Sequence, residues 1–435
     1  MGAGIRPRTS RRRVERLCTS GEKDMTRTAG FFSLEDLNDP LRISDDERER
    51  AAVTAATLPD GLPVWVITRY DDARVALDDR RLSKDGATLV KAIGRQLVEA
   101  GYGDRRVSGM FELPHALFSD PPQHTRLRKL LMNAFTTKRV EALKPRFQEM
   151  TNQLVAALPV NEPVDLISQV AVPLPLAVIC ELLGVPDGER EPLRPLVDAL
   201  NENNPDTAPA ASDELAAFFT DLIEHKSRRP GDDLVSALIH VGDDQTDKLA
   251  DNELLGTLFL LLNAGHDTTA NLIGNALRAL LQDRRYRWRL VREQPEIIPN
   301  VVEAVLAYDS PVRMATHRVV VEPVDYGGTT LLPGEIVLIC LHSANRDPRR
   351  FGKHAGMLDL HRDRQDLLRH LGFGFGLHRC LGATLGRMEA HVVLDTLARA
   401  FPRAELIDQH TLRRRRSPIM NGWERLPARL DFTYR

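Results

Sequence analysis

Apolar residues recur along this chain at two spacings, and the longer runs follow the helical one. Val140, Leu143, Phe147, Leu154 and Leu158 lie near a 3.6-residue period and predict a helix over 139–158. Leu381, Leu385, Met388, Val392 and Val393 suit one apolar face of another helix, which opens just after Cys380. A third is predicted from about 252 to 282 with Asp251 as its cap; a helix of about thirty residues spans about 45 Å, enough to cross a domain. Asp120-Pro121-Pro122 stops one element and starts the next, with prolines in the first turn of a helix that carries His124 and Arg128 at i and i+4. Ile179, Leu182, Leu183 and Val185 end in a Gly184/Pro186 break. Leu62 to Thr68 reads as a short strand, with a helix opening over 69–73. Beyond Pro311, Val319-Val320-Val321, Gly327-Gly328 and Ile336 to Ile339 read as strands and turns, and the tail from 417 as another hairpin. Residues 84–118 read as a long loop with one short helix, and 201–212 as a connection. The fold class is mainly α with small β-sheets, one large domain over 26–435 with no internal repeat.

Composition narrows the function classes. The chain has 435 residues, 42% hydrophobic and 28% charged, with ample apolar material for a core. A formal net charge of −2 argues against a protein built to coat nucleic acid. The four cysteines, Cys18, Cys180, Cys340 and Cys380, form no CxxC pair, which excludes a structural zinc framework and a disulfide scaffold and fits a reducing cytoplasm. The longest apolar stretch, Leu254 to Ala264, is broken by Gly256, Thr257 and Asn263 and falls short of the roughly 20 residues a membrane span needs. Residues 1–25 are Arg-rich without an apolar core: a disordered extension, or a start placed upstream of Met25, with a nucleic-acid arm as the functional alternative.

Chemistry concentrates in Phe373-Gly374-Phe375-Gly376-Leu377-His378-Arg379-Cys380-Leu381-Gly382. Glycines permit tight turns and close approach to a flat group. A cysteine at a helix N-terminus is favoured as thiolate, a soft donor to iron. A dinucleotide-binding GxGxxG fits neither glycine register, and an inert buried cysteine leaves the glycines and His378 unexplained. The stretch resembles the haem-binding loop of the cytochrome P450 family, FGxGxHxCxG, and the likeness spans roughly residues 34–430.

That resemblance implies a haem-thiolate fold, haem b as cofactor and Cys380 as the iron ligand, with Phe373, Gly374, His378 and Gly382 shaping the loop. Ala264-Gly265-His266-Asp267-Thr268, a polar interruption in a helix that follows Leu260-Leu261-Leu262, resembles the family's AGxDT. It implies that Gly265 leaves room for dioxygen, that Thr268 orients water by hydrogen bonding and that Asp267 relays protons. His124 and Arg128 resemble the family's HxxxR, and with Arg318 and His378 are implied to hold the haem propionates. The family's Glu-x-x-Arg pair is missing: in Val301 to Val312, anchored by Tyr308-Asp309-Ser310-Pro311-Val312, those positions fall on Ala304 and Ala307, and the later arginine that meets the pair aligns with Met357. Loss of all three predicts an intact fold with an apolar, repacked proximal side.

The implied reaction is O2-dependent oxidation of a small organic substrate in secondary metabolism. Radical coupling is the alternative within the class, and a non-catalytic haem-binding partner protein the alternative outside it. Pocket candidates are the 84–118 loop, 180–210, Leu261 to Ala264, Val312 to Thr316 and Ile419-Met420, with Arg313 open to a substrate carboxylate or to solvent. No flavin or nicotinamide domain is fused, which implies an external ferredoxin and ferredoxin reductase, with Arg126, Lys129, Lys138, Arg139 and Arg387 as a basic docking face. A monomer without nucleic-acid or membrane partners is expected.

Overall fold

The computed structural model describes residues 30–102, 113–160, 162–202, 207–240 and 248–431, so the expectation for residues 1–25 lies outside it. Helices Thr137–Ala157, Asp251–Leu281 and Ala383–Ala400 follow the predicted apolar periods. The long helix begins at Asp251, so this residue does not cap it. Ala250 is the flanking residue, and its N–H donates to the Glu253 carboxylate (3.0 Å).

The long helix packs against Pro173–Leu183 on one side and Ala383–Ala400 on another. Their apolar faces merge into the largest core, which includes Leu127, Phe147, Ile179, Leu258, Ile273, Leu277 and Leu394. A side chain such as Phe147, 1% exposed, contributes about 1.5–3 kcal/mol by leaving water.

Five strands form the main sheet in the spatial order Val53–Thr57, Pro63–Ile67, Ile336–Cys340, Met314–Val320 and Leu82–Ser83. Ile336–Cys340 is buried at every position, as its unbroken apolar run requires of a central strand. Its antiparallel pairing with Met314–Val320 shifts register between Ala315 and Arg318. A bulge of this kind re-aims side chains, and here it falls at Thr316 and His317. The tail beyond 417 joins a second sheet: Pro427–Arg429 lies between Pro163–Asp165 and Glu405–Leu406.

Two segments depart from expectation. Gly86–Glu99 is a full helix inside the predicted loop, with Asp85 accepting from Thr88 N–H and Leu89, Ala92, Ile93 and Leu97 buried. Residues 103–112 of that loop lie outside the described residues. The expected connection over 201–212 narrows, because helices Asp187–Glu202 and Ala208–Arg228 flank it and only 203–206 lie outside the description. Among the described residues, no helix is long and apolar enough to cross a membrane.

Candidate active site

The cysteine loop turns between the buried residues His370, Leu371 and Gly372 and the helix Ala383–Ala400. Gly374 and Gly376 adopt φ of 71° and 69°, the left-handed region that side chains rarely enter. At Gly376 a Cβ would also lie 2.1 Å from the Asp78 carboxylate, which accepts the Leu377 N–H (3.1 Å). Cys380 N–H donates to Phe373 O (2.8 Å), closing the turn. A Cβ at Gly382 would lie 3.9 Å from Cys380 Sγ, an ordinary van der Waals contact, so Gly382 borders the sulfur.

Cys380 is exposed, while the other described cysteines, Cys180 and Cys340, are buried. It nevertheless sits deep in the protein, and burial pushes its thiol up, against the Gly382 N–H and the charges of Arg128, Arg387 and Arg379. The helix N-terminus expected to ionise it begins only at Ala383. Coordination of a metal cation deprotonates a thiol outright, so this sulfur suits a ligand better than a free thiolate.

A cation-rich enclave borders the loop. His124 and Arg318 are buried, and the His124 and His378 ring centroids lie 4.4 Å apart. Both ring nitrogens of His124, and Nε of Arg318, lack a hydrogen-bond partner. Arg318 Nη2 donates to Leu77 O (3.0 Å), and Arg128 donates to Arg379 O. Burial brings the Arg318 guanidinium down to about 10. Burial also lowers His378, reinforced by Lys84, Arg318, His124 and Arg128.

Sequence reasoning missed Lys84. It is 3% exposed, its Nζ donates to Thr316 Oγ1 (2.6 Å), and burial followed by the repulsion of Arg318 pulls it well below the ordinary lysine range. Only Asp120 opposes it, accepting the Lys84 backbone N–H (3.0 Å). A lysine in a β-bounded segment is ordinarily a surface charge, so only its depth marks it. The enclave therefore gathers Lys84, Arg128 and Arg318 with the orphaned nitrogens of His124, and the nearby carboxylates of Asp120, Asp78 and Asp79 offset them from outside it. Buried charges of one sign need partners, and a group bearing carboxylates fits.

The long helix crosses Ala383–Ala400 where Thr269 Oγ1 faces Gly386, 3.6 Å from the position of a Cβ there. Leu261, Ala264 and Thr268 are among the positions of this mostly buried helix that keep surface open. Thr268 Oγ1 donates to Ala264 O (2.6 Å), and the buried Asp267 pairs with Arg415 from the C-terminal tail, whose side chain is 32% exposed. Gly265 lies against the neighbouring helix. A Cβ there would press on Ile179 of Pro173–Leu183 at 3.0 and 3.2 Å, so its missing side chain serves helix packing.

Residues 193–418 match the sequence profile of the family described as Cytochrome P450. Cytochrome P450 107B1 of Saccharopolyspora erythraea is 40% identical over 85% of this chain and 90% of its own length. The chain belongs to the cytochrome P450 family. The cytochrome P450 monooxygenase PikC of Streptomyces venezuelae is 38% identical over 85% of the chain and 86% of its own length. The structure of the tirandamycin C-bound P450 monooxygenase TamI superposes with a TM-score of 0.83 at 38% identity, covering 92% of this chain and 99% of that one. The expected P450 fold is thus found, and this P450 is a haem-thiolate monooxygenase.

Two expectations on this P450 are corrected. Arg313 faces neither substrate nor solvent. It is 2% exposed, its Nη2 donates to both oxygens of the buried Asp36 (2.6 Å each), and it anchors the first helices to the sheet. Met357 is 63% exposed, so it fills no gap beside Ala304 and Ala307, which are both buried. The proximal side is not wholly apolar either. The buried Glu303 carboxylate takes a bidentate pair from Arg387 and a contact from His370. Among the expected docking cations, Arg126 pairs with Glu253, Arg139 donates to Asp233 O and Arg387 pairs with Glu303.

Proposed function

We propose that this P450 holds haem b through Cys380 Sγ, with His124, Arg128, Arg318, His378 and Lys84 supplying positive charge and donors to the two propionates. Phe373, Gly374 and Gly382 shape the loop around the sulfur. The observation that carries this reading is the gathering of buried basic side chains and orphaned nitrogens beside Cys380, the one exposed cysteine among the described residues.

When bound, haem supplies dioxygen activation and electron storage, chemistry that thiolate ligation favours. The protein supplies protons and exclusion of water. Thr268 presents its hydroxyl on the long helix, held by its bond to Ala264 O. Asp267 stands next to it in sequence, and its pairing with the part-exposed Arg415 places the carboxylate one ion pair from solvent. A relay of this kind passes protons from water through Asp267 toward the Thr268 hydroxyl, a contribution of typically 10²–10⁴-fold for general acid–base catalysis.

The candidate pocket residues are mostly apolar: Leu261 and Ala264 share the long helix with Thr268, Val312, Ile419 and Met420 are partly exposed, and a backbone bridge joins Val312 to Met420. With Arg313 withdrawn to Asp36, these residues offer no fixed charge to a substrate. We therefore assign a small, largely apolar organic substrate of secondary metabolism, in keeping with the tirandamycin C bound by TamI. Electrons come from an external ferredoxin and its reductase, and the protein works as a cytoplasmic monomer. Lys138 is exposed, and Lys144, Arg364, Arg387 and His391 line a cavity of about 250 Å³ beside Glu303, a basic face for an acidic donor. Purified protein, screened for ligand-induced spin-state shifts and then turned over with a ferredoxin system, tests the assignment. A product heavier by one oxygen supports insertion, a coupled product without added oxygen replaces it, and no product from any shifting ligand sinks it.

A further inference from the structure

The helix Ile298–Tyr308 lacks the acid and base that the family carries at the positions of Ala304 and Ala307, yet the cysteine loop docks closely against it. At Gly372 a Cβ would lie 3.1 Å from Leu306 O and 3.2 Å from Ser310 Oγ. Three side chains secure this contact from three separate segments. Glu303, 1% exposed, accepts from Arg387 Nε at Oε1 (2.6 Å) and from Arg387 Nη2 at Oε2 (3.0 Å). The same Oε2 lies 2.9 Å from His370 Nε2. Gly372 N–H donates to His370 Nδ1 (2.9 Å), so this nitrogen is the acceptor and Nε2 carries the proton given to Glu303.

The chain of contacts ends at the sulfur-bearing residue. The Arg387 guanidinium sits 4.4 Å from the centroid of the Phe373 ring, and the His370 ring lies 5.9 Å from the same ring. Phe373 O receives the Cys380 N–H. Glu303 thus fixes Arg387 and His370, both of these confine Phe373, and Phe373 positions the Cys380 backbone. A bidentate, planar pair restricts orientation as a point charge does not.

We propose that Glu303, His370 and Arg387 form the proximal brace of this P450, holding the cysteine loop in the geometry in which Cys380 ligates iron, in place of the missing Glu-x-x-Arg pair. This rests on the haem-thiolate reading and concerns positioning residues, none of which touches a reacting atom.

The test uses purified haem-loaded protein and the variants Glu303→Gln, Arg387→Lys and Glu141→Gln, the last a charge change on the wall of the neighbouring cavity. Two readouts are followed: the share of the reduced carbon monoxide complex with thiolate rather than thiol ligation, and the rate of haem transfer to excess apomyoglobin. Glu303→Gln and Arg387→Lys are expected to convert most of the complex to the thiol form and to speed haem loss at least tenfold, while Glu141→Gln matches the parent. Should Glu303→Gln give no soluble protein, Arg387→Lys decides, since that side chain is 27% exposed and the lysine keeps its charge. A mere stability role would lower the melting temperature and leave the ligation state alone, which overturns the proposal, as do both variants matching the parent. A parent without thiolate ligation would instead sink the haem-thiolate reading itself.

Discussion

Lys84→Met separates the protein with haem from the protein without it, because the lysine should act with opposite sign in the two. Lys84 is 3% exposed and faces Arg318, with Asp120 opposing. Methionine of similar length removes the desolvated charge and the repulsion while keeping the packing, so apoprotein should unfold at a higher temperature. With haem, the variant loses one charge-assisted hydrogen bond to a carboxylate, about 1.5–3 kcal/mol. At about 1.4 kcal/mol per tenfold, haem transfer to apomyoglobin should speed about ten- to hundredfold. The assay pairs thermal unfolding of apoprotein with haem-transfer kinetics of holoprotein at one pH and salt concentration. Apoprotein that melts lower, together with unchanged haem loss, would show that Lys84 is a structural partner of Thr316 and refute its place among the propionate ligands.

Thr268→Ala removes the hydroxyl that donates to Ala264 O, and product formed per electron consumed should fall by about 10²-fold with the substrate-induced spin shift retained; equal product yield contradicts the relay. Gly265→Ala forces a methyl to about 3.0 Å from Ile179 and should destabilise by about 1–3 kcal/mol in denaturant unfolding, with Ile179→Val recovering part of the loss. Arg313→Met strands Asp36 as a buried, unpaired carboxylate at a cost of about 3–5 kcal/mol, largely recovered by adding Asp36→Leu, while ligand affinity in the spin-shift titration stays unchanged. Despite burial, His370 and Arg387 hold the Glu303 carboxyl down to about 2. A depressed carboxylate stabilises above its ordinary value of 4.5 and loses that contribution as pH falls toward 2. Acid unfolding should therefore separate parent from Glu303→Gln above pH 4.5 and converge below it.

Periodicity carried the helices because a long helix repeats its apolar face many times. The two predicted with bounds, 139–158 and about 252 to 282, emerge within a few residues of their ends, and the helix expected just after Cys380 begins at Ala383. The motif around Cys380 was legible for a related reason: its glycines answer to local backbone geometry, which two positive φ values express. What escaped depends on partners far along the chain. Arg313 reads as a pocket residue until Asp36, 277 positions away, is seen to receive it. Lys84 reads as surface until burial is known. Glu303 lies one residue before the position the family's glutamate takes, and its pairing with His370 and Arg387 spans 67 and 84 positions, beyond any local pattern. The helix Gly86–Glu99 was readable, since Asp85 caps it and Leu89, Ile93 and Leu97 share a face; the mixed polarity of its surroundings hid it.

The most direct test of the account is the absorption spectrum of the reduced, carbon monoxide-bound protein, taken beside Cys380→Ser. Direct sulfur-to-iron ligation predicts the strongly red-shifted Soret band of a thiolate donor in the parent and its complete loss in the serine variant. A parent without that band, or a serine variant that keeps it, contradicts the assignment of Cys380 and the function built on it.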